Sequence, residues 1–390
     1  MEPGGQVAVV GAGAMGAGIA QVAATAGCRV ALVDAVEGAA RTAVDRVGAG
    51  LRRMADRGTL TSGEAQDAAA RVAAVDAVRR LPECGLVIEA VPEDLELKQQ
   101  VFRQLAQTQP ATTLFATNTS SLDIDAIARE VPDPERVLGL HFFNPPTRMR
   151  LVEVVHGELT AGPYLEHACQ LMVDWGRTPV RCASTPGFIV NRVARPFYGE
   201  AQRMLEAGLA DAATIDACLR SAGFPMGPLE LTDLIGQDVN LAVGTSVWEQ
   251  TGRDERYAPT ALQQRLVEQG RLGRKSGHGV YRYAGDGRPL DAPPDEQRVS
   301  ELLAGSVAVN PLTRTVAMLV NEAVDLVRRG EATEQDVDLA MTLGTGYPRG
   351  PVAWGREIGF QVVAEQLAEL DEAFPGGRYR PSPALSGGLP

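Results

Sequence analysis

The run Val7-Ala8-Val9-Val10-Gly11-Ala12-Gly13-Ala14-Met15-Gly16-Ala17-Gly18 leaves the start of this chain few ways to fold. An apolar stretch that breaks into glycines and then turns alanine-rich reads as a buried strand, a tight turn and a helix opening on that turn. In such a unit Gly11 makes the turn, Gly13 lets backbone amides approach a pyrophosphate, and Gly16 lets the helix pack closely on the strand. The helix N-terminus then holds the phosphate charge. Gly11, Gly13, Ala14, Met15 and Gly16 are therefore candidate cofactor-binding residues. A second apolar run, Cys28 to Val33, ends in Asp34. An acid about twenty residues past the glycines can accept hydrogen bonds from both adenosine ribose hydroxyls and would repel a 2′-phosphate, which favours NAD over NADP. The other reading of Asp34 is a cap for the following helix.

Composition narrows the class. At 390 residues two or three domains are expected, and the net charge of −12 argues against nucleic acid or an anionic membrane as partner. Five scattered cysteines, 28, 84, 169, 182 and 218, form no metal-type pairs and fit a reducing cytosol. The N-terminal apolar run is too short and too glycine-broken for a signal peptide, and no run reaches the length of a membrane span. A cytoplasmic protein without a metal is expected. Of the 37 basic residues only Lys98 and Lys275 are lysines, so each is either a chance survivor or a position that needs a compact ammonium.

Along the chain, helical segments are expected at 36–58 and 62–80, then strands and helices alternate: 85–91, 93–107, 113–117, 124–130 and 136–143, with 151–155, 164–175 and 179–182 completing the domain. Such alternation specifies a doubly wound, mostly parallel α/β sheet. From Gly187 only helical patterns follow, at 188–207, 212–222, 229–249 and 261–269. The segment 284–294, rich in Gly, Pro and Asp, reads as linker. The motif Gly199-Glu200-Ala201 through Gly223-Phe224-Pro225-Met226-Gly227-Pro228 then returns as Asn321-Glu322-Ala323 through Gly346-Tyr347-Pro348-Arg349-Gly350-Pro351, offset by 122 to 123 residues. The helical part is duplicated. The expected domains are 1–185 (Rossmann-type), 186–283 (first helical), 284–308 (linker) and 309–390 (second helical).

Four further segments are specific: Asn118-Thr119-Ser120-Ser121-Leu122, His141-Phe142-Phe143-Asn144-Pro145, Leu151-Val152-Glu153-Val154-Val155 and Pro186-Gly187-Phe188-Ile189-Val190-Asn191-Arg192. With the glycine loop and Leu272-Gly273-Arg274-Lys275-Ser276-Gly277-His278-Gly279, they make residues 6 to 283 resemble the 3-hydroxyacyl-CoA dehydrogenases, and the tail repeat resembles the second C-terminal unit of longer bacterial members. The resemblance implies reversible, NAD-dependent oxidation of a (S)-3-hydroxyacyl-CoA in fatty acid β-oxidation, in a cleft between the Rossmann domain and the first helical domain. It makes His141 the base, Glu153 its partner, and Ser120 and Asn191 hydrogen-bond donors to the reacting oxygen and neighbouring substrate groups. Histidine suits a proton acceptor that works near neutral pH. It further implies that Glu93, Lys98 and Asn118 face the cofactor, and that the protein is a homodimer or a monomer whose repeats form an internal pseudo-dimer.

Arg52, Arg53 and Arg57 are candidates for the phosphates of CoA, against the alternative of a solvated helix face, and Thr59 stands where many relatives carry a basic residue. Arg148, in Pro146-Thr147-Arg148-Met149-Arg150, replaces an apolar residue of the family pattern. It either points to solvent or meets a carboxylate or a carrier phosphopantetheine. Two alternatives stay open at this level: a dehydrogenase of a carrier-bound hydroxyacyl group or free hydroxy acid, and a non-catalytic NAD-binding protein.

Overall fold

The structure, a computed structural model, describes residues 5–387; residues 1–4 and 388–390, the outer ends of the first and last expected domains, lie outside it. It divides into two compact units, Met1–Phe188 and Ile189–Pro390.

The first unit runs β1 (Gln6–Val10), α1 (Ala14–Thr25), β2 (Arg29–Val33), α2 (Ala39–Asp56), α3 (Ser62–Ala70), β3 (Val72–Val75), β4 (Leu86–Glu89), α4 (Leu95–Thr108), β5 (Leu114–Thr117), α5 (Ile124–Ala128), β6 (Val137–Phe142), β7 (Leu151–His156), α6 (Gly162–Asp174) and β8 (Thr178–Ala183). These strands form one sheet in the order β3-β2-β1-β4-β5-β6-β7-β8. It is parallel from β3 to β6; β7 then runs antiparallel to β6, and β8 parallel to β7. This is the Rossmann-type, doubly wound arrangement. The inner strands are buried along their length, save Gln6 at the start of β1, because helices cover both faces, which is why they read as nearly unbroken apolar runs. The order reverses between β1 and β4, the place where open α/β sheets bind ligands beyond their strand ends.

One expectation fails here. The stretch 62–80 is not a single helix: α3 stops at Ala70, and Val72–Val75 pairs with β2 in the register Val30↔Val72 to Val33↔Val75. A short Val-Ala-Ala-Val run has too few residues to settle its own period, and an open sheet edge offering a ladder of hydrogen bonds outweighs alanine's helix preference.

The second unit is helical: α7 (Val190–Val193), α8 (Arg195–Glu206), α9 (Ala212–Arg220), α10 (Pro228–Ile235), α11 (Gln237–Gln250), α12 (Ala261–Glu268), α13 (Glu296–Leu303), α14 (Pro311–Arg328), α15 (Glu334–Thr345), α16 (Pro351–Ile358), α17 (Phe360–Ala373) and α18 (Ala384–Gly387). Two expected helices are each broken in two. At 188–207 the chain stops at Val193 and restarts with Pro196 in the first turn of α8, where its missing N–H costs nothing. At 229–249 the break is Gly236, whose φ of +104° lies outside the helical region and which separates α10 from α11. The stretch 284–308 contains α13, which buries Val299 and Leu302.

The two repeats meet through a reciprocal exchange of charges within this unit. Arg192 Nε donates to Glu322 Oε1 at 2.6 Å, the Tyr257 hydroxyl donates to the same oxygen, and the Arg256 guanidinium lies 3.6 Å from Oε2. The residues 122 positions away repeat the cluster with the roles crossed: Arg314 Nε and the Tyr379 hydroxyl each donate to Glu200 Oε2 at 2.7 Å, and Arg378 Nε donates to Oε1 at 2.7 Å. All eight side chains are buried. Each repeat thus presents an Arg-Arg-Tyr set to the other's glutamate, the self-complementary pattern of a two-fold interface. Phe224 and its counterpart Tyr347 meet edge to face with centroids 5.0 Å apart.

Candidate active site

The glycine loop leaves β1 at Gly11, whose φ is +106° and where a Cβ would come within 2.4 Å of the Ala90 carbonyl oxygen. A Cβ on Gly16 would come within 1.8 Å of the Gly11 carbonyl oxygen, so only glycine lets α1 start this close to the strand. A Cβ on Gly13 would meet nothing within 4 Å. Gly13 and Ala14 are exposed and Met15 is half-buried, and the N–H groups of the first turn of α1 have no partner inside the helix. Open space in front of unpaired amides and a positive dipole end fits a pyrophosphate.

Asp34, at the tip of β2, accepts from the Ala12 N–H through Oδ2 at 2.6 Å and from the Val36 N–H through Oδ1 at 2.8 Å. It does not cap the following helix, whose N-cap is Gly38. The carboxylate braces the glycine loop and stays half-exposed, with lone pairs left for a ligand. Arg46 on α2 donates to the Ala12 carbonyl and so brings a guanidinium to the same loop. Nothing in the sequence pattern sets Arg46 apart from its neighbouring helix arginines.

On the other side of the strand-order reversal, β4 ends in Glu89. Asp94 caps α4 by accepting from Leu97 N–H, so Lys98 in the first turn points back at the strand end. Its ammonium is buried, 2.8 Å from Glu89 Oε1 and 3.4 Å from Glu93 Oε2. Glu89 is fully buried and takes further bonds from the Val91 N–H and the Thr117 hydroxyl, both at 2.6 Å. Glu93 Oε1 gathers the loop after β5: the Thr119 hydroxyl at 2.7 Å, the Ser120 N–H at 2.8 Å and the Ser120 hydroxyl at 3.1 Å. Burial opposes its charge, yet the Lys98 ammonium and these bonds hold the Glu93 carboxyl below its ordinary value. Lys98 is therefore an internal clamp on two carboxylates, and Ser120 is held by Glu93. Glu89 escapes a sequence reading, although an acid closing the apolar run Leu86-Val87-Ile88 is itself a signal.

The histidine site follows from the one antiparallel pairing in the sheet. The β6–β7 register sets His141 opposite Glu153, and side chains directly across a ladder share a face. Nδ1 lies 2.6 Å from Glu153 Oε2, with both side chains buried. A carboxylate only accepts, so the proton sits on Nδ1 and Nε2 presents its lone pair. The ring is walled by Phe143, 4.5 Å between centroids, and by Phe188 at 5.8 Å, edge on. Phe188 holds a φ of +48°, uncommon for a bulky residue and typical of strain kept at functional positions. Asn118 Oδ1 accepts from the Phe142 N–H at 2.9 Å, tying the loop after β5 to the strand that carries the histidine.

The first unit thus brings together Gly11, Gly13, Ala14, Met15, Gly16 and Asp34 around the loop, and Glu93, Lys98, Asn118, Ser120, His141 and Glu153 along the same C-terminal edge of the sheet. Asn191 belongs to the second unit, in α7. Arg52, Arg53 and Arg57 are exposed on or just after α2; the first two line a groove of about 630 Å³ between α2 and α3, with Ser62 and Gln66 on its other side. Arg148 is exposed. Lys275 is bonded to both oxygens of Asp238, at 2.6 and 2.7 Å, which accounts for it structurally. Among the described residues no helix is long and apolar enough to cross a membrane.

Known proteins resemble this chain along almost its whole length. The family profile described as 3-hydroxyacyl-CoA dehydrogenase, NAD binding domain, matches residues 6–185, and that of the C-terminal domain matches twice, at 187–283 and 312–387. The chain is 42% identical to the 3-hydroxyadipyl-CoA dehydrogenase of Escherichia coli (strain K12), covering 97% of this chain and 96% of that one. It is 37% identical to the human mitochondrial hydroxyacyl-coenzyme A dehydrogenase, covering 71% of this chain and 90% of the other. A crystal structure of an E. coli K12 3-hydroxybutyryl-CoA dehydrogenase superposes with a TM-score of 0.89 at 41% identity over 98% of both chains. Family profiles matched along nearly the whole chain, with 42% identity over 97% of it to a named member, place this protein in the NAD-dependent 3-hydroxyacyl-CoA dehydrogenase family.

Proposed function

We propose that His141 is the proton acceptor of this dehydrogenase and Glu153 the residue that orients it. The observation that carries the reading is the buried 2.6 Å contact from Nδ1 to Glu153, which leaves Nε2 as a lone-pair donor. When bound, NAD supplies the hydride acceptor for the carbon that bears the hydroxyl. Nε2 takes the hydroxyl proton, and Glu153 stabilises the imidazolium that results. In the reverse direction the protonated ring returns it. Ser120 and Asn191 serve the reacting oxygen and its neighbours by hydrogen bonding; Ser120 does so by exchanging its bond to Glu93 for one to substrate. The loop at Gly11, Gly13, Ala14, Met15 and Gly16 holds the pyrophosphate, Asp34 the adenosine ribose, and Glu93 and Asn118 the nicotinamide half, with Lys98 fixing Glu93 from behind. Arg52 and Arg53, in the α2–α3 groove, and Arg57 just beyond it meet the phosphates of CoA. Five buried cysteines, with no disulfide among the described residues, suit a reducing cytoplasm. The crossed Glu200 and Glu322 clusters support a monomer whose repeats form an internal pseudo-dimer.

The test is NADH formation from a set of 3-hydroxyacyl thioesters. Turnover is expected with 3-hydroxyacyl-CoA; absorbance that stays flat with every member would overturn the assignment. Within this set Arg148 reports on the acyl end. A guanidinium that is exposed, at a position the family pattern fills with an apolar residue, suits an acyl group ending in a carboxylate. Arg148→Leu is expected to lower kcat/KM with 3-hydroxyadipyl-CoA about tenfold, by loss of one charge-assisted contact, and to leave 3-hydroxybutyryl-CoA within about twofold. Equal losses on both would return Arg148 to the solvated surface.

Cofactor choice rests on Asp34. Wild-type protein is expected to prefer NAD, and Asp34→Ala to narrow the preference by at least about tenfold, since the ribose bonds and the repulsion of a 2′-phosphate go together. Catalytic efficiencies with NAD and NADP, before and after the change, decide it.

A further inference from the structure

The buried group that the proton transfer does not need is Glu89. One ammonium, Lys98, requires one carboxylate, and here it has two: Glu89 at 2.8 Å, fully buried, and Glu93 at 3.4 Å, partly exposed. The other groups on Glu89 are neutral, the Val91 N–H and the Thr117 hydroxyl, and those on Glu93 Oε1 are hydroxyls and amides of Thr119, Ser120 and Ser121. No other cation is within ion-pair reach of either carboxylate among the described residues. The cluster therefore sets two carboxylates against one ammonium, a formal excess of one negative charge.

Its place on the sheet gives that charge a target. A dinucleotide straddles the reversal of strand order, with its pyrophosphate at the loop after β1. Asp34 after β2 fixes the adenosine side, so the other half of the ligand extends over the ends of β4 and β5, where Glu89, Glu93 and the Thr119–Ser121 loop lie. The nicotinamide ring is cationic in the oxidised cofactor and neutral in the reduced one. A fixed charge beside it acts on one redox form only.

Resting on the reading that the glycine loop holds NAD, we propose that Glu89 is a positioning residue that also acts electrostatically, so that the Glu89–Lys98–Glu93 cluster shifts relative cofactor affinity towards the oxidised form. A unit charge about 10 Å away, in a medium of effective dielectric about 20, changes an equilibrium by roughly tenfold. The measurable consequence is the ratio of the dissociation constants of NAD and NADH.

Glu89→Gln keeps the shape and removes the charge. Dissociation constants of NAD, NADH and ADP-ribose for wild type and variant, by calorimetry and NADH fluorescence, give the test. NAD is expected to weaken about tenfold relative to NADH, while ADP-ribose, which lacks the ring, stays within about twofold. If all three ligands weaken together, Glu89 only supports the fold and the proposal is overturned; it is overturned equally if the NAD to NADH ratio does not move. Should Glu89→Gln fail to fold, the same ratio measured in Glu93→Gln, which removes the partly exposed member, decides: an unchanged ratio there also refutes the bias. Wild-type protein that binds none of the three ligands would instead overturn the dinucleotide reading beneath it.

Discussion

His141→Gln is expected to lower kcat by about 10²–10⁴-fold, the usual contribution of a placed general base, while NAD affinity stays near wild type. The two readouts separate because the groups proposed to hold the cofactor, the glycine loop, Asp34 and Glu93, make no bond to the imidazole. Glu153→Gln is the companion. A glutamine oxygen can still accept from Nδ1–H, so the ring keeps part of its orientation, but the amide carries no charge to stabilise the imidazolium. Its loss is expected to approach that of His141→Gln. Steady-state rates together with NAD titrations check both, and near-normal turnover in either variant would sink the proposed roles.

The second large effect concerns stability. Glu200→Gln is expected to destabilise the helical unit by about 3–5 kcal/mol, because it strips the shared counter-ion from Arg314 and Arg378 and leaves two buried guanidiniums short of a partner. The pH dependence has a definite sign. Burial works against the charged form of Glu200, but Arg378, Arg314 and the Tyr379 hydroxyl overcome it and hold the carboxyl at about 2, well below its unfolded value of about 4.3. A depressed native value stabilises the fold above the unfolded value, and that stabilisation is lost as pH falls from about 4 towards 2. Wild type and Glu200→Gln should therefore differ most at neutral pH and converge in acid. Denaturant midpoints across that range measure it, and a constant gap down to pH 2 would contradict the charged cluster.

Sequence alone carries the inner sheet because burial on both faces leaves unbroken apolar runs, and it carries the nucleotide loop because Gly11 and Gly16 there answer steric demands that no other residue meets. His141 and Glu153 are legible as a pair only through motif resemblance. Twelve residues apart, they come together because β7 turns back antiparallel, which the β-strand patterns themselves do not encode. Edge strand β3 is missed for the opposite reason: four small apolar residues fit either period, and pairing with β2 decides between them. The scarcity of lysine singles out Lys98 and Lys275, but a count cannot say which way a side chain points. Lys98 turns inward onto Glu89 and Glu93, and Lys275 lies on Asp238. The break at Gly236 is hidden because glycine within a helical pattern is tolerated more often than not.

The crossed clusters of Glu200 and Glu322 have a consequence for how this protein can change. In an assembly of two identical chains every substitution at a symmetric contact is made twice, so a harmful one is doubled and no half can be altered alone. Here both halves are encoded in one chain, and the two sites mutate independently. Position 313 already differs from its counterpart, with threonine where the first repeat has Asn191. Glu200→Gln, Glu322→Gln and the double variant form a thermodynamic cycle across a near-symmetric contact that a symmetric pair of chains could not supply, and the cycle would read out directly how strongly one half senses the other.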